Sequence, residues 1–235
     1  MKISSGFLSI ILFPIFTVAA CSSDEIGNSK DVNPETVYTS YAVNYSEGDD
    51  SVSCFLQYRF AGEHGTTLVL TTPSKVTIDG NEVLADSASF TGAYYEKKFS
   101  ASNFDGEHVI VFTDVNGKTH EEKFNFHRIS CSTEIPASIN KKSLAIEFNG
   151  ALPNDVIDIN VSDTSSATED IHISSQPQSN RLTVTAAQLK KLNIGSLQFN
   201  IYRHQEIPLL QPTQEGGKFS INYDIKDAVT ELKED

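Results

Sequence analysis

His108-Val109-Ile110-Val111-Phe112-Thr113, then Asp114-Val115-Asn116-Gly117, then Lys118-Thr119-His120-Glu121-Glu122-Lys123-Phe124-Asn125-Phe126 is the stretch that decides the fold class. Two β-rich runs flank an Asn-Gly pair. That is the strongest short-range signal for a β-hairpin, because the favoured tight turn needs positive φ at both central residues. The same period-two grammar extends in both directions. Upstream, Val52, Cys54, Leu56, Tyr58 and Phe60 alternate with Ser53, Phe55, Gln57 and Arg59. One face of such a strand is apolar and the other is mixed. Val37 to Tyr45 is rich in β-formers, and Ser46-Glu47-Gly48-Asp49-Asp50 breaks it. Thr66 to Thr71 and Lys75 to Asp79 are further strands, the latter followed by Asp79-Gly80-Asn81, a hairpin-type turn. Weaker β-segments fall at Ser87 to Thr91 and Tyr94 to Phe99.

Downstream, Arg128 to Lys142 lacks alternation and reads as a junction. A second strand series follows on Leu144, Ile146 and Phe148, on Ile157, Ile159 and Val161, on Ile171 and Ile173, and on Leu182 and Val184. Ser162 to Thr168 and Gln176-Pro177-Gln178 separate them. Thr185 to Gly195 departs from the pattern. Thr185 can cap a helix, Ala186 to Leu192 are mostly helix formers, and Gly195 can end about two turns. Leu197, Phe199 and Ile201 then alternate up to Arg203. Phe219, Ile221 and Tyr223 form the last strand, and charged Asp227 to Asp235 reads as a frayed helix or loose tail.

This spacing predicts an all-β protein: two antiparallel β-sandwich domains in tandem, one short helix in the second. The expected boundaries are 36–129 for the first, 130–142 for a junction, 143–226 for the second and 227–235 for the tail. A single longer sandwich is the alternative. The run Leu182 to Gly195 followed by a strand ending in Arg203 resembles a unit of bacterial immunoglobulin-like sandwiches, in which a short helical turn crosses between sheets. The 108–126 hairpin likewise resembles the closing hairpin of such domains. The resemblance implies an immunoglobulin-like fold for both halves.

The amino end carries an address. Lys2 precedes an apolar run from Phe7 to Phe16, too short to span a bilayer and interrupted by Pro14. Val18-Ala19-Ala20-Cys21 resembles the lipobox of bacterial lipoproteins. The resemblance implies removal of a signal peptide, residues 1–20, and acylation of Cys21. Several acyl chains on one residue anchor stably, since each buried CH₂ adds about 0.8 kcal/mol. Ser22 rather than Asp after the Cys implies transfer to the bacterial outer membrane. Asp24-Glu25 resembles the short acidic signals some bacteria use for surface display. Residues 21–35 read as a flexible tether lifting the folded part off the membrane.

The formal charge is −13, and loss of Lys2 with the signal makes the chain more acidic still. Such a chain has little electrostatic reason to bind nucleic acid or anionic lipid. Besides Cys21 there remain Cys54 and Cys131. In an oxidising compartment they can pair as a disulfide, or stand apart as two buried thiols. Six histidines show no metal-ligand spacing. His120 and Glu122 share one strand face, expected to be solvated. Asp114 to Gly117 lacks the length and terminal Glu of a calcium loop. There is no Gly-x-Ser-x-Gly, phosphate loop or His-Glu-x-x-His, so no catalytic residue, metal or cofactor is assigned.

Without Trp, the candidate ligand platform is Tyr94-Tyr95, a flat face with a polar tip. Strand alternation sends the two rings to opposite faces, so one can be core and the other a surface β-former. The expected function is a non-enzymatic, membrane-anchored binding or structural module with an envelope or extracellular protein as partner. A carbohydrate or surface-substrate binder, and a hydrolase with a dispersed site, are the alternatives.

Overall fold

The computed structural model describes residues 25–88, 91–163, 168–175 and 179–234. The signal segment, Cys21, and parts of the loops at 162–168 and 176–178 lie outside the described residues. Among the described residues the regular secondary structure is almost wholly strand. The first half supplies β1 (Ile26–Asn28), β2 (Val37–Ser46), β3 (Ser51–Phe60), β4 (Thr66–Val69), β5 (Lys75–Ile78), β6 (Asn81–Val83), β7 (Ala85–Ala88), β8 (Gly92–Ser100), β9 (Gly106–Thr113) and β10 (Thr119–Phe126). The second supplies β11 (Ser130–Cys131), β12 (Ser138–Asn140), β13 (Leu144–Asn149), β14 (Asp158–Asp163), β15 (Ile171–Ser174), β16 (Arg181–Val184), α1 (Ala186–Leu189), β17 (Gly195–Glu206) and β18 (Gly217–Lys233).

The alternation seen in the sequence places the core. On β3, Val52, Cys54, Leu56 and Tyr58 are all fully buried, as are Val43 on β2 and Ile221 and Tyr223 on β18. Against them packs a second sheet, ordered β10-β9-β5-β6. Tyr58 meets Phe112 with ring centres 4.6 Å apart, and Phe124 meets Phe219 edge-on at 5.2 Å. In the second half, β11-β13-β16 forms the facing sheet, and its Ile146, Phe148, Leu182 and Val184 join one core with Ile159, Val161, Leu197 and Phe199. α1 is a single turn, shorter than expected. Thr185 caps it with a reciprocal capping box through Gln188, the two orphan amide groups at the start of the helix being satisfied together.

The two facing sheets share one partner. The long sheet runs β1-β4-β3-β2-β18-β17-β14-β15. Residues 217–224 of β18 pair in parallel with β2, while residues 231–233 pair in parallel with β12. β17 pairs with β18 along its whole length, with a register shift between Ile201 and Tyr202. The architecture is therefore an all-β double sandwich, mostly antiparallel, in which one hairpin belongs to both halves. A Cβ on Gly217 would lie 2.3 Å from the Thr39 carbonyl oxygen, so glycine lets β18 enter beside β2.

Four expectations need correction. The 227–235 tail is strand through Lys233, because Thr230 and Leu232 point inward and are buried while the charged residues alternate outward. The expected boundary at residue 226 thus falls inside a strand. The 21–35 tether is docked from Glu25 onward: β1 pairs with β4, Ser29 is buried, and its hydroxyl accepts from Thr71 N–H at 2.9 Å. The 108–126 hairpin forms in full register, but Gly117 alone in its turn has positive φ. The turn is longer than the tight type, and the Asp114 carboxylate holds it by accepting from Asn116 N–H at 2.8 Å and Lys118 N–H at 3.0 Å. The positive-φ pair occurs instead at Asp79-Gly80, between β5 and β6.

Leu232→Ala should lower the unfolding free energy by about 2–5 kcal/mol, the usual cost of emptying a packed leucine site. Urea denaturation measures it; a change under about 0.5 kcal/mol, typical of surface sites, would mean that residues 227–233 are a tail after all.

Candidate binding surface and the buried junction

The outward face of the long sheet is polar and ordered across both halves. His204 Nδ1 lies 2.7 Å from Asn222 Oδ1, and Asn222 Nδ2 donates to Asn44 Oδ1 at 2.8 Å. One strand further, Ser53 Oγ donates to Glu96 Oε1 at 2.7 Å. On the other side, Asn200 Nδ2 donates to Asp227 Oδ1 at 2.8 Å, and His172 Nδ1 lies 2.7 Å from Asn160 Oδ1. Cross-strand register generates this row: Asn222 stands opposite Asn44 and His204, and Asn160 opposite Asn200 and His172. Paired amides hold each other's orientation, so the face presents a fixed pattern of donors and acceptors. A depression of about 240 Å³ opens in it among Ser46, Asp49, Ser53, Glu96, Lys98 and Asn222.

Tyr94 lies on this face and Tyr95 does not. Tyr95 is buried, and its hydroxyl accepts from Leu70 N–H at 2.6 Å. Tyr94 is half-buried and stacks on Phe55, ring centres 5.2 Å apart, and its hydroxyl donates to Asp86 Oδ2 at 3.2 Å. The outward aromatic pair is thus Phe55–Tyr94, flanked by the exposed carboxylates of Asp86 and Glu96. Sequence alternation had Phe55 on the outward face of β3. What it lacked was the pairing of β3 with β8 that places Tyr94 beside it.

The second cluster sits where the halves meet. Arg203 ends the inward row of β17 and is 1% exposed. Its Nη1 donates to Asp155 Oδ1 at 3.0 Å, and His127 Nε2 lies 2.7 Å from both Arg203 Nη1 and Asp155 Oδ2. The guanidinium carbon stands 5.7 Å from the centre of the Tyr223 ring, within cation–π range. Tyr223 stacks on Tyr45 at 5.0 Å, contacts Glu47 through its hydroxyl, and donates to the Ile129 carbonyl at 2.7 Å. Strands β2, β17 and β18, the 127–130 connection and the 152–156 loop therefore converge on one buried guanidinium. Burial alone would raise the Asp155 pKa, but hydrogen bonds from His127 and Leu152 N–H and the Arg203 charge outweigh it and hold the carboxyl below its ordinary value. The sequence marked Arg203 only by its place at the end of a strand. Asp155 and His127 come from separate loops, and nothing in their spacing joins them.

Cys54 and Cys131 are free thiols, so the disulfide expectation is not met. Cys54 is in the first core on β3, where burial pushes its thiol up to about 12. Cys131 is on β11 of the second half, its thiol donating to the Thr133 carbonyl at 3.2 Å. His120 and Glu122 share a face, but the face is not solvated. The 207–216 loop covers it, Leu210 and Gln211 N–H donating to the Glu122 carboxylate at 2.6 and 2.9 Å. Among the described residues no three His, Cys, Asp or Glu side chains gather as metal ligands would.

No protein-family model matches this sequence, and no curated protein does. Solved structures are similar over most of the chain. A tetra-tandem repeat from the extending region of a large adhesion protein is 14% identical, with 83% of this chain and 49% of that chain covered and a TM-score of 0.28. This chain spans about half the length of that structure. DIP-gamma IG1+IG2 is 8% identical, covering 84% and 93%, with a TM-score of 0.24. SGBP-B of the Bacteroides ovatus mixed-linkage glucan utilization locus, in complex with a mixed-linkage heptasaccharide, is 11% identical, covering 95% and 69%, with a TM-score of 0.22. At such scores, what those proteins bind says nothing of what this chain binds.

Asp155→Asn leaves Arg203 buried without its counter-charge and should cost about 3 kcal/mol at pH 7. The depressed carboxyl contributes fully above its unfolded value near pH 4 and progressively less as pH falls through its folded value. The gap between wild type and variant, measured by urea titration, should therefore shrink below about pH 4. A gap unchanged from pH 7 to pH 3 would contradict the assigned role.

Proposed function

We propose that this chain is a bacterial outer-membrane lipoprotein, anchored through acyl chains on Cys21, whose folded part is a non-enzymatic binding module for a protein of the envelope or the cell exterior. The Val18-Ala19-Ala20-Cys21 pattern supports the anchor. The observation that carries the binding reading is the outward face of the long sheet, where side chains from β15, β14, β17, β18, β2, β3 and β8 form ordered polar pairs beside Phe55–Tyr94. A wide surface with an aromatic anchor and a polar surround suits a protein partner. A glycan is the second reading, favoured by the Phe55–Tyr94 pair and the flanking Asp86 and Glu96, since sugars stack on aromatic faces and donate hydroxyl protons to carboxylates.

A photo-crosslinking residue at Asn222 should give a discrete protein adduct on intact cells, while one at Lys118, on a loop remote from the face, should not. Tyr94→Ala should reduce the adduct about tenfold or more, as loss of an aromatic anchor does, without lowering the melting temperature by more than a few degrees. Retention of the purified protein on a polysaccharide, lost in Tyr94→Ala, would transfer the assignment to a glycan. Adducts from Lys118 and Asn222 alike, unaffected by Tyr94→Ala, would overturn the face. Labelled fatty acid should enter the wild type and not Cys21→Ala; no label in the wild type would overturn the anchor.

A further inference from the structure

We propose that the pole of the first sandwich bearing Ile26, Phe60 and Leu210 rests on a zwitterionic phospholipid surface, so that the second sandwich is the part held away from the membrane. The proposal rests on acylation of Cys21. The chain is fixed to the fold from Glu25, whose carbonyl accepts from Thr67 N–H at 3.1 Å and from Thr67 Oγ1 at 3.0 Å. Only Ser22, Ser23 and Asp24 lie between that point and Cys21. Even fully extended, they separate the two by about 14 Å. The acylated residue therefore stays close to the place where the chain leaves the sandwich.

Strand register identifies that place. Ile26 stands beside Thr67, Thr67 opposite Arg59, Thr66 opposite Phe60, and Phe60 opposite Val37. Gly217 pairs with Thr39. The chain thus exits at the end where β2 and β18 begin and β3 finishes. From there β18 runs away for 17 residues, about 56 Å at the usual rise, and its far half carries the second sandwich.

The same pole shows exposed apolar side chains: Ile26 at 49%, Phe60 at 40% and, in the loop joining β17 to β18, Leu210 at 60%. A cavity of about 560 Å³ among Pro208, Leu209, Pro212, Gly217 and Phe219 lies in that loop. Two of its carboxylates, Glu35 and Glu63, are paired with Lys118 and Lys218. Counted with Glu25, Glu206 and Glu215, these five carboxylates outnumber the three cations of the pole, Arg59, Lys118 and Lys218, and the negative excess opposes an anionic lipid surface and suits ammonium headgroups. Apolar side chains around a lipid attachment point dip into the headgroup and acyl boundary, as interfacial anchors do.

The chain has no tryptophan, so one introduced residue is a unique probe. Phe60→Trp and Val229→Trp, both at exposed positions, are prepared as the lipidated full chain in phosphatidylethanolamine–phosphatidylcholine vesicles containing brominated lipid. Trp at 60 should be quenched at least about fivefold more than Trp at 229, since the quencher reaches only the outer several ångströms of the interface. Ile26→Trp should behave like Phe60→Trp and serves if the latter folds poorly. Equal quenching at the proximal and distal positions would overturn the proposal while leaving the anchor intact. Intact mass of the same sample reports acylation; an unacylated Cys21 would remove the anchor and the proposal with it.

Discussion

The long β17–β18 hairpin is one antiparallel ladder, with a single register shift between Ile201 and Tyr202, that lies in both halves of the molecule. A strand pair cannot bend freely, because each residue fixed in the ladder fixes its neighbours. Neither half can close its own sheet without it. The first half needs residues 217–224 beside β2, and the second needs the far part of the same strand beside β12 and β17. The shift between Ile201 and Tyr202 falls between the stretch of β18 paired with β2 and the stretch paired with β12. The extra residue is Ile225 on β18, so the inward positions of β18 change from odd to even numbers across it, while Arg203 keeps its place in the unbroken inward row of β17.

That placement explains why a charge is buried at the junction. Arg203, Asp155, His127 and Tyr223 come from both halves, and they meet only when the two sandwiches take one relative arrangement. Buried ion pairs add little net stability over apolar packing, but leaving one member alone is costly. Any arrangement that separates its members leaves a buried charge without its partner, and that is the larger energetic consequence of the cluster. With the junction held, the outward polar row runs across both halves as one surface, and the orientation of the whole follows from where Glu25 is tied down.

Much of the fold was legible in the sequence because its strands are amphipathic. Val52, Cys54, Leu56 and Tyr58 alternate cleanly and are buried as their pattern implies; Thr185 and Gln188 announce the helix start. The failures have a common physical cause. Residues 227–233 look like a tail because three of their four outward positions, Asp227, Glu231 and Lys233, are charged, while the inward Thr230 and Leu232 are too few to set a period. Residues 26–31 look like a tether because β1 contributes backbone pairing rather than apolar bulk. Of the candidate site, Tyr94 was visible and its partner Phe55 was half visible. The junction was not visible, since its members are joined only by tertiary contact over 48 and 76 positions of sequence separation.

Native-state hydrogen exchange along β18, read on peptides covering 217–224 and 226–233 with added denaturant, tests the shared-hairpin account most directly. If one ladder serves both halves, amides on both sides of Ile225 should exchange through the same global opening, with the same free energy and the same denaturant dependence. Exchange of residues 226–233 through a separate, lower-energy opening, with 217–224 still protected, would contradict it.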